Sequence, residues 1–163
     1  MIELITVLAI IAIVSVMVFA NYRSGNQQFT LENEAYMLAQ NLRKVQEMAM
    51  SSKQISGVNP SGFGVYLKQG DSSYKLYADL SIPANNTYEA TDYTVQNVTM
   101  AKYVYLKTVT PDLLSVNYTP PDPVTALTGN TGQVAQAMIE LGLEGTTKTQ
   151  TVIVNRGGLI YVQ

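Results

Sequence analysis

The stretch LITVLAIIAIVSVMVFA, residues 4–20, decides the architecture, because its only polar side chains are Thr6 and Ser15. Glu3 stands just ahead of it, and no further charge follows until Arg23. Both hydroxyls can bond back to carbonyls of their own helix, so neither interrupts an apolar rod. At about 1.5 Å of rise per residue such a rod approaches the ~30 Å hydrocarbon thickness of a bilayer. The segment can cross a membrane.

Three readings compete for it. A cleaved secretory signal calls for a basic start and a small-residue cleavage site, whereas here an acid precedes the run and VMVFANYRSGN offers a poor site. A plain membrane anchor gains nothing from that acid and lacks the flanking Lys or Arg that orient anchors. Glu3 is the informative residue: a carboxylate near hydrocarbon costs about 2.5–3.5 kcal/mol and calls for a partner. The positive end of the helix dipole is one, and a free α-amine on the same or an adjacent chain is another. The plainer reading is an interfacial acid that only complements the dipole, and charge and position alone leave both open.

MIELITVLAIIAIVSVMVFANYR, residues 1–23, resembles the N-terminal segment of type IV pilins and pseudopilins. Mature chains of that family begin with an aromatic residue, then Thr-Leu, then an apolar-Glu-Leu triplet and an apolar helix. Ile2, Glu3 and Leu4 match the triplet, while Met1 stands where the family has Leu. The resemblance implies assembly of identical chains into a helical filament through Ile2, Glu3, Leu4, Ile5, Leu8, Ile11 and Val14. It also implies a prepilin peptidase that cuts ahead of the aromatic residue and methylates the new amine, and an inner-membrane assembly machinery. The chain would start as a single-pass precursor in a bacterial inner membrane and end in an extracellular pilus. Ala20 lies where many major pilins have a helix-bending Pro, which leaves Gly25 as the nearest weak point of the helix.

Past Arg23-Ser24-Gly25-Asn26 a second helical pattern begins, with Leu31, Ala35, Leu38, Leu42, Val45 and Ala49 at steps of four and three. They form one apolar stripe, and Glu32, Glu34, Gln40, Arg43, Lys44 and Glu47 fall mostly elsewhere on the wheel. A coiled-coil seam fits the same spacing, but about three heptads ending at Ser51-Ser52 favour packing within the chain. Thr30 could cap a restarted helix, or the helix could run through Gly25.

Beyond Gly57 the period becomes alternating. Phe63, Val65 and Leu67 face one way; after a turn at Gln69-Gly70-Asp71-Ser72, Tyr74, Leu76, Ala78 and Leu80 repeat the pattern, which predicts an antiparallel hairpin. Further strands are expected at 91–99, 102–110, 115–119, 134–143 and 149–155, with a last one at 159–162 folded back through Arg156-Gly157-Gly158. Pro120, Pro121 and Pro123 mark a surface crossover. The expected fold is α+β: a long N-terminal helix packed on an antiparallel sheet head, divided into a hydrophobic segment 1–23, an amphipathic half 24–56 and a β-rich head 57–163. LENEAYMLAQNLRKVQEMAMSS followed by GFGVYL and SYKLYADL is also similar, more loosely, to H-type minor pseudopilins of type II secretion.

Composition narrows the chemistry. The 163 residues contain no Cys and no His, which removes thiols, imidazole bases and the usual zinc ligands. The net charge of -2 gives no field for polyanions, and the single Arg of the C-terminal NRGGLIYVQ is no phosphate-binding cluster, so nucleic acid is not an expected partner. Lys102, Lys107 and Lys148 read as solvated strand charges. With 11 Tyr against 3 Phe and no Trp, the composition suits a half-exposed β surface. Ser72-Ser73-Tyr74-Lys75 fits S-x-x-K, but on a strand Ser and Lys would not share a face, and chance explains the match better. Asp79, Asn85, Asn86, Glu89 and Asp92 bring oxygen ligands into one loop, as a calcium site would, although their spacing is not an EF-hand's and ordinary turn chemistry is the better reading. The N-x-[ST] triplets at Asn85, Asn97 and Asn117 decide nothing.

The sequence therefore predicts a structural subunit of a type IV pilus-like filament, with no enzymatic role and no cofactor. The alternatives are a minor pseudopilin of a type II secretion system and a singly anchored envelope protein with a ligand-binding β domain.

Overall fold

A computed structural model describes residues 2–55, 57–120 and 124–163, with the helix backbone alone described at 19–21, 23 and 24. The chain is α+β, an N-terminal helical region followed by antiparallel sheets. It divides into two compact units, Met1–Thr30 and Leu31–Gln163.

Helix α1 is assigned from Ile2 to Met50, Gly25 included. Thr30 does not cap a new start: its hydroxyl donates to the Asn26 carbonyl at 2.9 Å, a bond made inside a continuing helix. The helix ends where the sequence runs out of stripe. Ser52 takes a left-handed φ of 46°, Lys53 N–H reaches the Met48 carbonyl and Ser52 N–H the Ala49 carbonyl, the paired bonds of a Schellman cap.

In the unit Leu31–Gln163 the C-terminal half of α1 lies against two sheets, where a single sheet face was expected. Strands β1 (Gly62–Lys68), β2 (Ser73–Asp79), β3 (Tyr93–Thr99), β5 (Leu113–Thr119), β6 (Val124–Gly129) and β7 (Gly132–Gln133) form a six-stranded sheet in the order β3-β2-β1-β5-β6-β7. Strands β4 (Val104–Thr110), β8 (Gln136–Leu143), β9 (Thr149–Asn155) and β10 (Ile160–Val162) form a four-stranded sheet in the order β10-β9-β8-β4. The stripe residues Leu31, Ala35, Leu38, Leu42, Val45 and Ala49 are all fully buried, in one cluster with Phe63, Val65, Leu76 and Val116 of the first sheet and Leu106, Ile139 and Val152 of the second. Strands β4, β8, β9 and β10 pair with one another and contribute apolar residues of their own to the same core, so the stripe is covered by two sheets.

Polar side chains on the flanks of α1 fix it across both sheets. Asn41 Nδ2 donates to the Tyr74 hydroxyl at 2.7 Å, and Arg43 Nη2 donates to the Ile160 carbonyl at 3.1 Å. Glu34 departs from its expected place on the outer wheel. It is buried, and its Oε1 accepts the Ala101 N–H at 3.1 Å, so it satisfies a backbone group of the β3–β4 connection.

The predicted β1–β2 hairpin forms with Val65 opposite Leu76 and Phe63 opposite Ala78. Leu80 does not continue it; it falls past the end of β2 and is exposed. The β1–β2 turn reaches the other sheet, with Gly70 N–H donating to the Leu106 carbonyl at 2.8 Å and Leu106 N–H to the Asp71 carbonyl at 2.9 Å. Strands β6 and β7 lie just past the prolines, in a stretch for which no strand was expected. Pro120 ends its strand as expected, whereas Pro121 and Pro123 lie outside the described residues.

Candidate assembly surface

In the unit Met1–Thr30 every described side chain of residues 2–18 is exposed. Its large hydrophobic residues keep between 53% (Val14) and 77% (Ile2) of their surface open. Leu4, Leu8 and Ile11 share one face by their spacing, Ile2 and Ile5 a second, and Val14 extends from Ile11, so the candidate residues ring the rod instead of lining a stripe. The polar exceptions are neutralised locally: Thr6 donates to the Glu3 carbonyl at 2.8 Å and Ser15 to the Ile11 carbonyl at 2.7 Å. Glu3 sits in the first turn, where the dipole favours an anion, and among the described residues its carboxylate has no ion-pair partner. A Cβ added at Gly25 would meet nothing within 4 Å, so no packing demands that glycine. Among the described residues no helix is long and apolar enough to cross a membrane. The described side chains of the apolar run end at Val18, and the sequence continues it through Phe19 and Ala20.

The loop of oxygen-bearing residues folds back on the outer face of β1, β2 and β5. Asp79 is fully buried there, with Oδ1 accepting Ser81 N–H at 2.9 Å and Oδ2 accepting Asn86 N–H at 3.2 Å and Asn117 Nδ2 at 3.4 Å. Asp92 accepts Leu80 N–H and Glu89 N–H, and Asn85 Oδ1 accepts Thr87 N–H. These acceptors hold the backbone of the loop, the turn chemistry that Asp and Asn favour. Among the described residues no group of three metal-capable acids is found.

Tyr88, which the sequence reading passed over, anchors this loop. Its ring lies 4.8 Å from that of Tyr66 and 5.3 Å, edge-on, from that of Tyr77, and its N–H donates to Ser115 Oγ. Hydrogen bonds from Thr94 and then Lys75, whose Nζ lies at 3.2 Å, hold the Tyr88 phenol below its ordinary value. Gly64 has to be glycine, since a Cβ there would lie 2.5 Å from the Tyr77 ring. Burial pushes the phenols of Tyr77 and Tyr118 up, and that of Tyr74 to about 12 against the Asn41 hydrogen bond.

The remaining motifs find structural places. Ser72 sits at the β1–β2 turn and Lys75 bonds Tyr88, so S-x-x-K forms no nucleophile pair. Asn117 is buried, Asn85 is half-buried and Asn97 is exposed. Lys107 is ion-paired with Glu140 at 3.1 Å, and that hydrogen bond holds the Glu140 carboxyl below the usual range. Lys102 stands in a turn and not on a strand, with Nζ 4.7 Å from the Tyr103 ring centroid.

One cleft also escaped the sequence reading. It measures about 500 Å³ and is lined by Gly70, Ser72, Tyr103, Val104, Tyr105 and Glu144. Tyr103 has a φ of 71° in the turn closed by Val104 N–H on the Ala101 carbonyl, the place that type II turns give to Gly or Asn. Backbone of that kind costs about 1–3 kcal/mol for a bulky side chain. Compared with family models, curated proteins and solved structures, the chain finds no match.

Proposed function

We propose that the chain is a structural subunit of a bacterial type IV pilus-like filament, held in the inner membrane as a single-pass precursor and then stacked with identical copies outside the cell. The observation that carries this reading is the ring of exposed apolar side chains on residues 2–18. Moving a Val, Leu or Ile out of water is worth about 1.5–3 kcal/mol, so such a ring does not stay solvated. Lipid and neighbouring copies both satisfy it, and Glu3 separates the two. In hydrocarbon its carboxylate is a liability, whereas between stacked helices it meets the α-amine of an adjacent chain. A contact of this kind joins one surface to a different one on the next copy, and when the rotation does not close a ring it continues as a fibre.

The pilin-like division of labour follows. The helix supplies the fibre core, the two-sheet unit is carried outside, and the chemistry is mechanical and adhesive. Cleavage and methylation by a prepilin peptidase belong to the same reading. Glu3→Ala tests it directly: filament yield falls while the membrane level of the subunit holds, and normal fibres with normal subunit register would overturn the role of Glu3. Stoichiometry in purified fibres separates a bulk subunit from a minor pseudopilin that primes a secretion pseudopilus. Single molecules spread over the membrane without fibres would mark an anchored ligand-binding protein instead.

A further inference from the structure

We propose that the cleft between the β1–β2 turn and the start of β4 binds a neutral, hydroxyl-rich sugar ring, with Tyr103 as its stacking platform. The argument begins with a contradiction in the turn Ala101–Val104. Its third residue takes a left-handed φ that glycine adopts freely, yet it is tyrosine. Packing does not retain that ring, because 57% of Tyr103 is exposed. Backbone geometry does not require it either: the Tyr103 carbonyl accepts Glu144 N–H at 2.8 Å, a bond that glycine would make equally well. What the strained backbone secures is an aromatic surface at the mouth of a cleft.

The lining selects the ligand. The cleft, at about 500 Å³, falls within the 300–1,000 Å³ typical of small-molecule sites. Tyr103 and Tyr105 supply rings with polar tips, Ser72 a hydroxyl, and Glu144 an exposed carboxylate. The ammonium of Lys102 already lies over the Tyr103 ring and opposes a second cation, while Glu144 opposes an anion. A neutral sugar meets neither penalty. Its C–H face stacks on the face of the Tyr103 ring opposite the Lys102 ammonium, and its hydroxyls reach donors and acceptors in the lining. None of residues 2–18 takes part, so the inference stands apart from filament assembly.

The test uses the full chain in micelles of a non-glycosidic detergent, with D-glucose, D-galactose, D-mannose and N-acetyl-D-glucosamine as probes, read by saturation-transfer NMR. At least one sugar is expected to bind with Kd in the millimolar range, its ring protons receiving saturation from tyrosine. Tyr103→Ala should weaken binding about tenfold, and Glu144→Gln should weaken it measurably, while Tyr161→Ala on the far edge strand should leave it intact. Tyr103→Gly is the decisive variant: it should lose binding as Tyr103→Ala does and yet raise Tm by about 2–4 °C by relieving the turn. Absence of binding by all four sugars at tens of millimolar, or unchanged affinity in Tyr103→Ala, overturns the proposal.

Discussion

Residues 2–18 and residues 31–49 of α1 both carry Leu, Val and Ala, yet those side chains have opposite fates. In the first segment every described side chain is exposed; in the second, Leu31, Ala35, Leu38, Leu42, Val45 and Ala49 are fully buried. Charge and periodicity both distinguish them: the first carries Glu3 as its single charge, whereas the second sets Glu32, Glu34, Arg43, Lys44 and Glu47 around an apolar stripe. A stripe with a 3.6-residue repeat addresses one surface, which the chain itself supplies from two sheets. A rod that is apolar on all sides addresses surroundings on all sides, and within its own unit it finds none.

Alkali should give the largest contrast between the regions. Tyr74, Tyr77 and Tyr118 are buried with phenols raised above 10.0, while residues 2–18 hold no tyrosine. Above about pH 10 the unfolded chain releases phenolic protons that the folded unit retains, so stability is complete below that pH and falls as pH rises toward the folded values. Three such groups give a slope of up to about 4 kcal/mol per pH unit. Urea midpoints of the β-sheet signal at increasing pH measure it, and a flat profile through this range would break the comparison. Truncation comes next. Leu38→Ala should lower unfolding free energy by about 2–5 kcal/mol in chemical denaturation, whereas Ile11→Ala should leave the sheet unit within about 0.5 kcal/mol. Equal losses would mean that residues 2–18 support the sheets. Gly25→Ala should act more weakly than Leu38→Ala and in the opposite direction. With open space around the new methyl, it should stabilise the local helix by about 1 kcal/mol, seen as slower amide exchange on both sides of the position.

How much of this was legible depended on the length and regularity of each signal. The stripe of α1 was readable because its fully buried residues recur without a break, and β9 was bounded correctly at Thr149–Asn155 because β-branched Thr, Val and Ile fill it between turns at Gly145 and Gly157-Gly158. Strands β6 and β7 were lost because VTALTGNTGQ follows three prolines and is full of Thr and Gly, which looks like loop until cross-strand pairing with β5 is known. The division into two sheets was illegible for a similar reason: it depends on which strands pair, and alternation says only that each has a buried face. Glu34 was misplaced because a wheel cannot show a distant N–H that needs an acceptor. Glu3 drew attention by its isolation in apolar sequence, whereas Tyr103 gave no such signal, since only its backbone conformation makes it unusual.

The sheet margins carry one more consequence. Strand β7 is 2 residues long and β10 is 3, and the backbone of β4 at Leu106 is occupied by the β1–β2 turn. Among the described residues only β3 offers a full-length rim, and it is polar at Thr94, Gln96, Asn97 and Thr99, with a register irregularity in its pairing to β2. Unguarded margins invite strands of another molecule to dock and spread into cross-β aggregates. Here most of that docking template is gone. Molecules packed to high local concentration can therefore touch without merging their sheets, and remain separate folded bodies in a crowd.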